Sequence, residues 1–128
     1  MFALDAGSVL EILPAMAATR IPGSPAAVRG LANVRGTLVT LVDAALAIGV
    51  VPAPGAGPGT VVLVAQRARP VGLAVDEVCD LVSVEAAALE DRAALPGVRA
   101  DLVSAVGSAD GETFVQLETD VLLEPLLP

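Results

Sequence analysis

Apolar residues in this chain come in short runs, each closed by Gly, Pro or Asp, and that punctuation decides what the chain can become. Val9–Leu13, Leu38–Val42, Val61–Ala65, Val71–Val75, Val78–Val84, Leu102–Val106 and Thr113–Leu117 are too short for helices and the right length for strands. Within Val71-Gly72-Leu73-Ala74-Val75, large and small side chains alternate, which suits a strand with one face packed on a core and the other crowded by backbone. Ala109-Asp110-Gly111-Glu112 is a tight hairpin signal, because Asp-Gly accepts the positive φ angles of a type I′ turn. Hydrophobic residues make up 55% of the chain, yet there are two Phe and no Trp or Tyr, so the core is aliphatic. Helix is scarce. Ala86–Ala94 has room for two turns, and Thr119 and Asp120 offer an N-cap for a short terminal helix that Pro125 limits.

The chain also repeats itself. Val9–Leu13 aligns with Val78–Val82, and Phe2-Ala3-Leu4 with Val71-Gly72-Leu73. In a second register Arg35-Gly36 falls on Asp110-Gly111, pairing Leu31 with Val106, Val39 with Phe114, Val42 with Leu117 and Leu46 with Val121. The expectation is a single, mainly β domain over residues 1–128, built as two small barrels from halves 1–50 and 60–128 joined by a Pro/Gly connector at 51–59. The counterpart of Thr60–Ala65 falls before Met1, so the first half is expected to lack its first strand.

Missing residue types exclude much chemistry. With no His, Lys or Tyr, there is no imidazole base or ligand, no Schiff-base amine and no P-loop lysine. PGAGPG at 54–59 has prolines where a phosphate cradle needs backbone donors, and reads as a connector. Asp76, Glu77 and Asp80 cluster, but the spaced ligand ladder of a calcium loop is absent, and a solvated acidic rim is the favoured reading. Neither a catalytic site nor a cofactor is expected.

The net charge of −8 disfavours nucleic acid and anionic lipid as partners. One cysteine, Cys79, excludes an internal disulfide and reads as a small packing residue. The uncharged stretch 44–66 is too rich in Pro and Gly to span a membrane, and MFALD lacks the basic region of a signal peptide. A cytoplasmic location is expected.

FALDAGSVLEI (2–12), IPGSPAAVRGLANVRGTLVTLVD (21–43), VGLAVDEVCDLV (71–82) and the last hairpin running into VLL (121–123) resemble the CheW-like domains of bacterial chemotaxis coupling proteins. The most specific part is Pro25-x-x-x-x-Gly30-x-x-Asn33-x-Arg35-Gly36, followed by an apolar strand and Asp43. The resemblance implies two five-stranded, SH3-like β-barrels around a shared hydrophobic core, with a short C-terminal helix. It also implies a non-catalytic adaptor that couples the cytoplasmic tip helices of chemoreceptors to the regulatory domain of the histidine kinase CheA.

An arginine beside a glycine between two apolar runs sits at a hairpin mouth. In the family the residues matching Arg35 and Glu11 lie in the coupling surface. We expect Arg35 and Glu11 to approach each other and present a polar anchor beside exposed aliphatic residues such as Val9. The plainer alternative pairs Arg35 with Asp43 or Glu11 as a hairpin stabiliser. Gly30 and Gly36 serve backbone geometry first and recognition second, and Asn33 is expected to make a local turn hydrogen bond. Two other readings of the whole chain stay open: a structural paralogue that self-associates or scaffolds without kinase coupling, and a small acidic barrel that binds a metal or ligand through Asp76, Glu77 and Asp80.

Overall fold

The computed structural model describes residues 2–50, 59–79, 90–91, 100–109 and 111–127. Strands are β1 (Phe2–Ala3), β2 (Val9–Pro14), β3 (Val28–Val34), β4 (Thr37–Asp43), β5 (Thr60–Gln66), β6 (Arg69–Val75), β7 (Glu90–Asp91), β8 (Val103–Ala109) and β9 (Glu112–Leu117). Among the described residues two α-helices of five residues, α1 (Ala44–Ile48) and α2 (Thr119–Leu123), each follow a hairpin. The chain is mainly β, as expected, with its described strands in two sheets and a short C-terminal helix.

One sheet has the order β2-β5-β6-β4-β3 and the other β1-β9-β8-β7. The two sheets do not divide at the connector. β5 and β6 are inserted between β2 and β4, and β1 runs parallel to β9 with Phe2 opposite Val115.

β5 lies inside the sheet, between β2 and β6, and is buried on both faces, which explains its unbroken Val-Val-Leu-Val run. Its odd residues, Val61 and Leu63, meet Ala32, Val39 and Leu41 in an inner cluster. Its even residues, Val62 and Val64, join Val42, Val71, Leu73 and Leu123 on the outer face, beneath α2. A third cluster, Ile48, Leu102, Leu117 and Leu122, belongs to the second sheet and the helices, and Leu4 and Ala47 bridge it to the outer cluster. Gly72 shows why β6 alternates in size. A side chain there would run into Leu41 and would lie 3.0 Å from Cγ1 of Val61, so aliphatic groups rather than backbone fill that space.

The second repeat register is visible in the fold. Gly36 and Gly111 have φ of 87° and 81° at the tips of the β3–β4 and β8–β9 hairpins. Each hairpin carries a bulge at aligned positions, between Val28 and Gly30 and between Val103 and Ala105.

Several expectations are corrected. Glu90 and Asp91 pair as a strand with Val106 and Ala105, not as part of a helix over Ala86–Ala94; the rest of that segment lies outside the described residues. Of Val78–Val84, Val78 and Cys79 are not strand, and the remainder is likewise outside, as are Asp80, Asp110 and residues 51–58. Thr119 and Asp120 lie within the first turn of α2, whose N-cap is Glu118 without a side-chain bond. α2 stops at Leu123, two residues before Pro125. Cys79 is exposed, because the chain has left β6 by then, so it is not a packing residue.

Candidate functional site

β3 and β4 are joined by the two-residue turn Arg35-Gly36, both with positive φ (50° and 87°), as a type I′ hairpin requires. Gly36 adopts this freely, and Arg35 does so against its own Cβ. The side chain of Asn33 restrains the turn: the Gly36 N–H donates to Asn33 Oδ1 at 2.7 Å. Asn33 thus makes the local bond expected of it.

From this turn the Arg35 guanidinium reaches Glu11 on β2. Nη1 donates to Oε1 at 2.9 Å and Nη2 donates to Oε2, a two-pronged fork. β2 and β3 are the two edges of the five-stranded sheet, and no described ladder joins them, so the ion pair shows how far the sheet curls. Hydrogen bonding from Arg35 holds the Glu11 carboxyl below its ordinary range; partial desolvation opposes this, and the positive charge adds to it. The same bonds, with the carboxylate's charge behind them, raise Arg35. Both groups remain solvent-accessible, with side chains 67% and 37% exposed, so the fork is presented to solvent rather than sealed.

Asp43 has a separate role. It accepts from Arg29 Nη2 at 2.8 Å and from the Leu46 amide at 3.1 Å, capping α1. Desolvation pushes its carboxyl up, but the bonds from Arg29 and from the Leu46 and Ala45 amides, with the charge of Arg29, outweigh this and leave it lowered. Asp43 is therefore Arg29's partner, which leaves Glu11 to Arg35.

Gly30 has φ of 136°, and a Cβ there would collide with the Thr19 carbonyl and lie 2.9 Å from the Arg20 Cα. Thr19 and Leu31 exchange both backbone bonds at 2.8 Å, so residues around Thr19 press along the outer edge of β3. Gly36 has nothing within 4 Å of its missing side chain; only its φ requires glycine.

Val9 does not supply the exposed aliphatic surface. It is half-buried against the outer cluster, and the exposed neighbours are Leu10 (58%) and Ile12 (53%). The cause is the bulge between Val9 and Glu11, which resets the facing of an edge strand that is apolar on both sides. Leu38, 66% exposed beside the turn, was also not anticipated; its setting in an apolar run gives no signal of exposure.

Among the described residues no three His, Cys, Asp or Glu side chains converge as metal ligands, and no helix is long and apolar enough to cross a membrane.

Comparison with known proteins places this geometry in context. Residues 1–126 match the CheW-like domain family. A probable chemotaxis protein CheW from Rhizobium etli is 35% identical over 83 residues, which are 65% of this chain and 54% of that protein. A chemotaxis protein CheW from Rhizobium meliloti is 32% identical over the same shares. The match thus spans about half the length of these two relatives. The crystal structure of the scaffolding protein TtCheW from Thermoanaerobacter tengcongensis superposes with a TM-score of 0.87, covering 96% of this chain and 84% of that one at 21% identity.

Proposed function

The chain belongs to the CheW-like domain family, and from that premise we propose that it is a non-catalytic adaptor of a chemosensory array. Its partners in this reading are the cytoplasmic tip helices of chemoreceptors and the regulatory domain of the histidine kinase CheA, and its location is cytoplasmic. The observation that carries the proposal is the Arg35–Glu11 fork, held at the surface on a strained turn. A non-glycine residue with positive φ persists where the surrounding structure over-determines it, and such positions gather at recognition sites. Asn33 and Gly36 fix the turn, Gly30 seats β3 against Thr19, and Leu10 and Ile12 lie exposed along the strand that bears Glu11.

Arginine is among the residues enriched at interface hot spots. Its fork uses two donors on Glu11 and keeps others for a partner's acceptors. The missing residue types support the non-catalytic part of the reading, since the chain has no His, Lys or Tyr.

A pull-down with purified kinase regulatory domain and receptor tip fragments tests this, comparing wild type with Arg35→Glu. Loss of capture by a variant with an unchanged circular dichroism spectrum is expected. Equal capture of both partners by the two proteins rules the anchor role out.

A further inference from the structure

A shallow depression of about 300 Å³ opens between the start of β4 and the start of β6, at the end of the sheet near the Arg35 turn. Leu38, Val71 and Leu127 form its apolar wall, Thr37 and Thr40 add hydroxyls, and Arg69 is the single charge among the described residues that line it. Thr40 lies opposite Val71, a member of the outer cluster, whereas Glu11 lies opposite Leu63 of the inner cluster. The depression and the Glu11 side chain therefore belong to opposite faces of the same sheet.

Two features of the depression ask for a complement. Leu38 is the most exposed large apolar side chain among the described residues, at 66%. Arg69 has no acidic partner among the described residues, while Arg29, Arg35 and Arg67 are paired with Asp43, Glu11 and Glu124. Among the described residues no carboxylate lines the depression. The surrounding chain also favours a negative visitor: residues 1–75 carry five arginines and three carboxylates, and the remainder carries two and twelve. A small ligand needs an enclosing pocket that buries most of its surface, which an open hollow does not provide. Side chains projecting from a larger polypeptide fit it better.

We propose that this depression is a second docking surface, taking a segment of a partner polypeptide that carries an aliphatic side chain beside a carboxylate. The aliphatic group covers Leu38 and the carboxylate pairs with Arg69, whose planar fork suits that geometry. The inference deepens the adaptor reading by adding a contact that Arg35 and Glu11 do not make.

The test uses neither kinase nor receptor, so its failure is distinct from failure of the pull-down. A capped helical peptide with Leu at i and i+4 and Glu at i+3 and i+7 is titrated into isotope-labelled protein, followed by amide shifts, beside a counterpart with Gln for Glu. Saturable shifts centred on Leu38, Thr40, Arg69 and Val71 are expected, with affinity at least tenfold weaker for the Gln peptide and for the Arg69→Glu and Leu38→Asp proteins. The Arg35→Glu protein should bind the peptide as wild type does. No saturable shift at millimolar peptide, equal affinity for both peptides, or shifts centred elsewhere overturns the proposal.

Discussion

Arg35 and Glu11 face each other from opposite edges of one five-stranded sheet and bridge those edges through their side chains. The arginine sits at the tip of a hairpin whose backbone favours glycine or asparagine, and the glutamate sits on the opposite edge strand. Under the proposed adaptor reading, stability and recognition therefore pull in different directions at residue 35.

Arg35→Gly separates those two demands. It relieves the positive φ of 50° while deleting the fork. The melting temperature should equal or exceed that of wild type, and capture of kinase and receptor fragments should fall at least tenfold. A drop in melting temperature of several degrees would show that the ion pair, not the turn, dominates there.

Acid should weaken the fold through two carboxylates. Glu11 and Asp43 both titrate below their ordinary values of 4.5 and 3.8 in the folded chain. Each therefore contributes stability that is fully present above those values and is lost as pH falls through the lower folded ones. With no histidine in the chain, no imidazole titrates between pH 6 and 8. Thermal melts should be level over that interval and decline below pH 4.5, with a shallower decline in Glu11→Gln and Asp43→Asn. Asp43→Asn keeps the cap on α1, whereas Asp43→Ala should lose about 1 kcal/mol more at neutral pH.

Gly30→Ala and Gly36→Ala should differ sharply although both glycines have positive φ. At Gly30 a methyl group meets the Thr19 backbone, and the loss should be about 3 kcal/mol. Around Gly36 the space is open, so only the conformational penalty of about 1 kcal/mol remains. Urea midpoints of the two variants decide between them, and equal midpoints would contradict the contact with Thr19.

Ala68→Gly should stabilise the protein. Arg67 and Ala68 form the β5–β6 turn with φ of 49° and 64°, and neither residue is suited to it. Glycine at 68 should raise unfolding free energy by about 1 kcal/mol in urea titrations.

That same turn shows where sequence reading reaches its limit. Asp110-Gly111 announces a hairpin, but Arg67-Ala68 carries none of the residues that mark one, because tertiary packing of β5 and β6 imposes it. β3 was hidden by Arg29, Gly30 and Asn33 interrupting its apolar pattern, and α1 is too short to show helical periodicity. The Arg35–Glu11 approach was legible only through the family resemblance, because the residues alone left Asp43 and Glu11 both open as acceptors for Arg35. Which residues beside Glu11 are exposed was not legible, since a bulge changes facing without a sequence mark. Cys79 lies just past the end of β6, a boundary that the run Val78–Val84 obscured.

The interleaving of the two sheets bears on how the molecule is made. The ribosome must release β5 and β6 before the first sheet has its central strands, and β9 before Phe2 and Ala3 have a neighbour. Distant pairings of this kind delay folding until nearly all of the nascent chain has emerged. A polypeptide severed between β4 and β5 should leave each piece with orphaned strand edges, soluble and native only when the two are mixed.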